Sequence, residues 1–175
     1  YGGKTLDSIE RIAGILESLP SVTCVVVVAN VSPRPDLARL AAARRYDEFG
    51  RPGSTLRFER LPFDQPLYIL YSSGTTGVPK CIVHGAGGTL LQHLKEHQLH
   101  ADVHPGERLF FFTTCGWMMW NWLASALASQ ATVVLFDGSP FHPDEGVLWR
   151  LASEEHVAHF GTSPKYLAAL EKSGY

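Results

Sequence analysis

A chain of 175 residues with 45% apolar and 18% charged side chains has the composition of a soluble protein with one packed core, which excludes extended disorder. Its formal net charge of -2 gives no general attraction to nucleic acid or to an anionic membrane, so we expect small-molecule partners. The three cysteines are far apart and lack metal-ligand spacing, and no apolar run approaches the roughly 20 residues of a bilayer span, so we expect a reduced protein of the cytoplasm.

The first 66 residues predict a helix, a strand and a connection. Apolar residues recur at spacings of three and four in residues 5–19, TLDSIERIAGILESL, which predicts an amphipathic helix. The β-branched run in residues 21–30, SVTCVVVVAN, predicts a strand covered on both faces of a sheet. Turn signals punctuate residues 32–66, which include an Ala/Arg-rich stretch, so we expect a peripheral connection with one short helix there.

Strands and helices alternate from Leu67 onward. The strand LYILY, residues 67–71, precedes a glycine-rich loop, a short strand at residues 81–84 and a helix over residues 88–101. Three further strand and helix units follow, and this order predicts an α/β fold with a largely parallel sheet and right-handed crossovers. Their strands are expected at residues 108–114, 132–136 and 157–163, and their helices at residues 117–129, 144–155 and 164–173.

The loop after the strand LYILY has the composition of a phosphate site. In SSGTTGVPK the two glycines can expose backbone N–H groups, four hydroxyls add donors, and Lys80 adds a positive charge. The glycine spacing is not the Walker pattern, and a surface turn would share the Gly, Ser and Thr content. The preceding apolar strand, the hydroxyl run, the proline and the lysine together favour polyphosphate binding at the carboxyl end of a strand.

The stretch YSSGTTGVPK resembles the phosphate-binding signature of the adenylate-forming enzymes, the superfamily of acyl-CoA synthetases, nonribosomal adenylation domains and luciferases. With residues 66–88, 113–140 and 159–167, it is most similar to the branch of acyl-CoA synthetases that uses acetoacetate. The resemblance implies that residues 1–175 are part of a large N-terminal AMP-binding domain, with a C-terminal domain absent. It also implies that ATP with Mg²⁺ converts acetoacetate to an acyl-adenylate, from which coenzyme A takes the acyl group.

The resemblance assigns roles to four groups of residues. The ATP phosphates would be bound by Ser72, Ser73, Gly74, Thr75, Thr76, Gly77 and Lys80, of which Thr76 and Lys80 would be catalytic. The acyl pocket would be lined by Trp117, Met118, Met119 and Trp120. Coenzyme A would be contacted by Tyr1, Gly2, Gly3, Lys4, Gly138 and Phe141. The nucleotide would be approached by Thr162, Ser163 and Pro164, which also fit an ordinary helix N-cap.

Several alternatives stay open. The Trp and Met residues of the proposed acyl pocket could be core packing, because such clusters at helical spacing usually are. The chain could instead belong to a synthetase for another short acid, or it could bind a nucleotide without turnover. A more remote alternative is a zinc hydrolase, because His93, Glu96 and His97 form an H-x-x-E-H pattern on a helix. We favour the adenylate-forming enzyme, which needs no metal ligands from these histidines.

Overall fold

The computed structural model describes residues 1–50, 52–72 and 77–175. They form two compact units, Tyr1–Phe58 and Glu59–Tyr175. Both units combine strands with helices, so the predicted α/β class is confirmed. Among the described residues, no helix combines the length and the apolar character that crossing a membrane requires.

The first unit contains helix α1, Ile9–Glu17, and the strands β1, Val25–Val27, and β2, Ala43–Arg45. The two strands pair in parallel. The expected helix in the Ala/Arg-rich stretch is wrong as an α-helix, because Ala43–Arg45 form β2, whose alternating exposure suits a strand with one covered face, and only a 3₁₀ turn, Tyr46–Glu48, follows. The expectation of a strand covered on both faces is also wrong, because β1 is half-buried and the next residue, Val28, is 65% exposed.

The second unit begins with a hairpin. Strand β3, Pro66–Ser72, pairs antiparallel with strand β4, Lys80–Gly85. This pair departs from the predicted parallel arrangement, because a parallel crossover needs about a dozen residues and only residues 73–79 separate the strands. Helix α2, Ala86–Leu94, follows directly, and its last turn widens into a π-helix over Lys95–His100.

The remaining strands form the predicted parallel sheet. Strand β5, Arg108–Phe111, lies between β6, Thr132–Val134, and β7, His159–Gly161. The connections carry helix α3, Met118–Ser125, which a 3₁₀ turn extends to Ser129, and helix α4, Val147–Glu154. Helix α5, Pro164–Ser173, occupies the predicted range of residues.

Two apolar clusters cover the opposite faces of this sheet. Successive side chains of a strand point to opposite faces, so Leu109 and Phe110 enter different clusters, and both are almost fully buried. Leu123 of α3 packs in the cluster of Leu109, while Leu148 of α4 and Leu170 of α5 pack in the cluster of Phe110. Each buried leucine contributes on the order of 2 kcal/mol, and this layering holds the start of α3 at the carboxyl end of β5.

Candidate functional site

The end of the β3–β4 hairpin brings the described parts of the glycine loop together. Ser72 and Lys80 are paired across the two strands, so a hydroxyl and an ammonium group leave the same end of the hairpin. Gly77 has a φ of +89°, which favours glycine, and apart from its chain neighbours no atom of the described residues lies within 4 Å of the position that a Cβ would take. The predicted residues Ser73, Gly74, Thr75 and Thr76 lie outside the described part of the chain.

A cavity of about 670 Å³ lies between β4, α2, β5 and α3. We call it the α2 cavity. Its apolar wall includes Met118 and Met119, two of the four residues predicted to line an acyl pocket, together with Phe111 and Trp122. The opposite wall is polar and comes from β4 and α2. Its side chains are those of His84, Thr89, Gln92, His93 and Glu96.

A second cavity, of about 450 Å³, lies at the hairpin end beside the α2 cavity. We call it the hairpin cavity. It is lined by Ser72 at the end of β3 and by Trp117 at the start of α3. Ile82, His84 and Met118 line both cavities, so the two are neighbours along one wall. A ligand could therefore extend from the glycine loop, past Met118, to the polar wall of α2.

Trp120 is placed elsewhere. It lines a separate cavity of about 320 Å³ on β5 and β6 and packs against the buried cluster around Leu109 and Leu123. The structure thus brings Trp117, Met118 and Met119 together around the two neighbouring cavities and leaves Trp120 in the role of core packing. The i, i+1 spacing explains this difference, because neighbouring residues of a helix face different directions.

Two histidines and a serine connect α2 with α3. Nδ1 of His93 lies 2.8 Å from Oγ of Ser125, and Nε2 of His97 lies 2.9 Å from the carbonyl oxygen of Trp122 and 3.2 Å from the same Oγ. Burial lowers the pKa of both imidazoles, and the neighbouring histidine lowers that of His93 further. Both rings are therefore neutral near pH 7. Ser125 was not among the predicted site residues, because a serine eight residues after Trp117 carries no motif.

This arrangement does not support the zinc alternative. A zinc site needs the two imidazole nitrogens to converge on an open position, but here the serine hydroxyl stands between them. His97 is fully buried, and its ring packs on Trp122 with ring centres 4.2 Å apart. In the described part of the chain, no group of three or more His, Cys, Asp or Glu residues has the geometry of a metal site.

The residues predicted to contact coenzyme A fall in two units. Tyr1 to Lys4 form a tight turn, closed by a hydrogen bond of 3.1 Å from the backbone N–H of Lys4 to the carbonyl of Tyr1, with positive φ at Gly2 and Gly3. Gly138 leaves room for the Phe136 ring, which a Cβ would meet at 2.9 Å. Phe141 packs on Tyr166 with ring centres 5.3 Å apart.

The last group of predicted residues forms the start of α5. The hydroxyl of Ser163 accepts a hydrogen bond of 3.2 Å from the backbone N–H of Tyr166, and Pro164 occupies the first turn. Ser163 and Pro164 therefore form the N-cap that the sequence also allowed. Oγ1 of Thr162 is buried and has no hydrogen-bond partner among the described residues.

Comparisons with known proteins show what the chain is similar to. The family model "AMP-binding enzyme" matches residues 3–175. An acetoacetyl-coenzyme A synthetase of Rhizobium meliloti (strain 1021) is 54% identical, with 100% of this chain and 27% of that protein aligned. A malonamoyl-CoA synthetase of Penicillium aethiopicum is 45% identical, with 98% of this chain and 26% of that protein aligned.

A solved structure, that of an acetoacetyl-CoA synthetase from Streptomyces lividans, superimposes with a TM-score of 0.90 at 40% identity. The alignment covers 99% of this chain and 26% of that one. The chain therefore spans about a quarter of the length of the relatives it matches. Because the family model matches almost every residue, the chain belongs to the family of AMP-binding enzymes.

Proposed function

We propose that this chain works within a longer AMP-forming acyl-CoA synthetase that converts acetoacetate, ATP and coenzyme A to acetoacetyl-CoA, AMP and pyrophosphate. The observation that carries the proposal is that the hairpin cavity and the α2 cavity share the lining residues Ile82, His84 and Met118, which places the end of the hairpin beside a pocket with room for an acyl group. The three exposed, free thiols are consistent with a reducing compartment such as the cytoplasm.

The hairpin end suits the phosphates of ATP. Lys80 supplies positive charge opposite the Ser72 hydroxyl, and the open surroundings of Gly77 allow a phosphate to approach the backbone. Magnesium fits this arrangement, because it commonly binds phosphate oxygens and few protein ligands, and it would supply further positive charge there. Ser73, Gly74, Thr75 and Thr76 complete the proposed loop, with Thr76 and Lys80 as its catalytic residues.

The α2 cavity suits a short acid with a carbonyl on its third carbon. The names of two relatives, acetoacetyl-CoA and malonamoyl-CoA synthetase, describe acyl groups that share this carbonyl and differ in the group beyond it. Met118 and Met119 would limit the length of the acid, and the polar wall of α2 would contact the carbonyl. Acetoacetate is therefore the proposed acid, ahead of saturated acids of the same length.

The proposed chemistry needs positioning rather than a nucleophilic side chain. A carboxylate oxygen of the acid attacks the α-phosphorus of ATP, and the bond to pyrophosphate breaks. The coenzyme A thiol then attacks the acyl carbon of the adenylate, loses its proton and displaces AMP. The chain's own part is to hold the carboxylate in line and to balance the phosphate charge. Tyr1 to Lys4, Gly138 and Phe141 stay the proposed contacts of coenzyme A, and Thr162 to Pro164 those of the nucleotide.

Thioester formation by the full-length protein tests this proposal. The protein is incubated with ATP, Mg²⁺, coenzyme A and one acid from a panel of acetoacetate, malonamate, acetate, butyrate and isobutyrate, and the products are identified by mass spectrometry. We expect acetoacetyl-CoA to form with the highest kcat/KM. Preferred formation of a different short acyl-CoA would support the alternative acid instead, and absence of any thioester would contradict the proposed activity.

A further inference from the structure

We propose that His93 selects the acid by donating a hydrogen bond from Nε2 to the carbonyl on its third carbon. The inference rests on the proposed function, and it names His93 as the residue that determines which acid the enzyme prefers. It was not among the residues predicted to line an acyl pocket. Three features of the described chain support it: the position of the ring, the state of its nitrogens and the surroundings of the cavity.

The ring of His93 lies in the wall of the α2 cavity, and a contact with Ser125 fixes its orientation. His93 is only 8% exposed, yet it lines the cavity opposite Met118 and Met119. Its Nδ1 is held by Ser125 at 2.8 Å, which ties α2 to α3. Because Nδ1 is engaged with the serine, Nε2 is the nitrogen left to meet a ligand.

The neighbouring groups allow Nε2 of His93 to carry the proton. Nε2 of His97 must donate to the carbonyl oxygen of Trp122, 2.9 Å away, because a carbonyl can only accept. The same N–H lies 3.2 Å from Oγ of Ser125, whose single hydroxyl proton can go either to the Trp122 carbonyl, 2.7 Å away, or to Nδ1 of His93. Because the carbonyl already accepts from His97, we assign the serine proton to Nδ1 of His93. In that arrangement the neutral ring of His93 presents an N–H to the cavity.

An uncharged donor that faces an apolar wall, here that of Met118 and Met119, discriminates between acids. A ligand with a carbonyl at the right position pairs the N–H, whereas a saturated acid of equal length leaves it unpaired and desolvated. Glu96 lies on the same wall, where its carboxylate accepts a hydrogen bond of 2.9 Å from Gln92. The ammonium group of Lys95, 3.4 Å from Oε1 of Glu96, offsets the negative charge of this carboxylate.

His97 has a different role. It is fully enclosed, and its Nδ1 is a buried atom with no hydrogen-bond partner in the described structure, so it cannot reach a ligand in the cavity. Its contacts with Trp122 and Ser125 hold in place the serine hydroxyl that contacts Nδ1 of His93. Ser125 and His97 are therefore positioning residues, and His93 is the residue in reach of the acid.

The test compares two acids of equal chain length, acetoacetate and butyrate, in acid-dependent exchange of labelled pyrophosphate into ATP by the full-length protein. For His93→Leu we expect the ratio of kcat/KM for acetoacetate to that for butyrate to fall about 10- to 100-fold, the range for a buried donor or acceptor that loses its partner. His93→Gln, whose amide can also donate, should recover part of the ratio. For Ser125→Ala we expect a smaller loss of the ratio, which Ser125→Thr restores because it keeps the hydroxyl.

The control is His100→Leu, which replaces an exposed histidine on the same segment and should leave the ratio unchanged. An unchanged ratio in a folded His93→Leu protein that still activates acetoacetate would overturn the role of His93 and leave the proposed function standing. No exchange with acetoacetate by the wild-type protein would instead contradict the proposed function. If His93→Leu does not fold, a crystal structure of the wild type with acetoacetate and an ATP analogue decides, and Nε2 more than about 3.5 Å from the ketone oxygen would overturn the proposal.

Discussion

Met119 is the residue whose size bears most directly on the length of the acid that the proposed site accepts. It is half-buried and lines the α2 cavity but not the hairpin cavity, so shortening it enlarges the far end of the site and leaves the hairpin unchanged. Met118 lines both cavities and would affect both. Shortening Met119 should therefore change the kinetics with the acid and leave those with ATP unchanged.

For Met119→Ala in the full-length protein we expect kcat/KM for 3-oxopentanoate to rise relative to that for acetoacetate by about 10-fold, since the one methylene added is worth roughly 1–3 kcal/mol. The KM for ATP should stay the same. Pyrophosphate exchange with the two acids measures the ratio. Leu127→Ala is the matched control, because Leu127 follows the same helix and is 63% exposed. A ratio that stays at the wild-type value would remove Met119 from the acyl pocket.

Lys80 is the charged residue of the site that the described structure places most clearly, opposite Ser72 at the end of the hairpin. Lys80→Met keeps the length of the side chain and removes its charge. We expect the rate of adenylation to fall about 10²- to 10³-fold, the usual effect of removing one group that stabilises developing charge. Single-turnover formation of the acyl-adenylate measures this, with Lys172→Met on α5 as the control. Equal rates in both variants would exclude Lys80 from the phosphate site.

At the scale of elements, α2 carries the two buried imidazoles, and their burial gives the stability of the fold a dependence on pH. Burial lowers the pKa of His97 and His93 below the ordinary 6.5, so the unfolded chain takes up protons at a higher pH than the folded one. This contribution to the free energy of unfolding is complete above about pH 6.5 and is lost as the pH falls through the lowered pKa values. Hydrogen bonds also lower the pKa of Glu107, so its contribution to the free energy of unfolding is lost in a more acidic range.

We therefore expect the melting temperature of the full-length protein to fall between pH 7.5 and pH 5.5, and His97→Gln to reduce that fall. The glutamine amide can replace the hydrogen bond to Trp122 but does not titrate. Differential scanning fluorimetry at several pH values measures the change, and His100→Gln serves as the control because His100 is exposed. The same pH dependence in His97→Gln as in the wild type would show that His97 is not protonated in this range on unfolding.

The elements also show how far sequence reasoning extends. The ranges of α3 and α5 and the parallel order of β5, β6 and β7 follow from apolar periodicity and from the alternation of strands and helices, which are local signals. The antiparallel β3–β4 pair could have been inferred from the short loop between its strands. Strand β2 could not, because Ala and Arg favour helices and only pairing with β1 makes this stretch a strand.

The site residues divide in the same way into those that the sequence indicates and those that only the fold brings together. Met118 and Met119 were predicted for the acyl pocket from the resemblance to acyl-CoA synthetases, and the structure places them in one cavity. The contact between His93 and Ser125 joins residues 32 positions apart, so no spacing in the sequence indicates it. The H-x-x-E-H pattern drew attention to His93, but burial and the packing of α2 on α3 determine what its ring can do.

At the scale of the whole molecule, the chain corresponds to about a quarter of its relatives, and the hairpin exposes apolar side chains accordingly. Ile69 is 53% exposed and Val83 is 58% exposed, which is unusual for large apolar residues in the strands of a folded enzyme. We expect residues 1–175 alone to form no acyl-CoA. Measurable acetoacetyl-CoA from the isolated piece would contradict the view that the reaction needs more of the protein.

The central claim is that the hairpin end and the α2 cavity together serve the formation of an acyl-adenylate from acetoacetate. The most direct measurement is the exchange of labelled pyrophosphate into ATP by the full-length protein, with Mg²⁺ and without coenzyme A, because exchange reports the first step alone. We expect exchange that depends on acetoacetate and is much weaker with butyrate. Exchange that proceeds equally without any acid, or no exchange while the folded protein binds ATP, would contradict it.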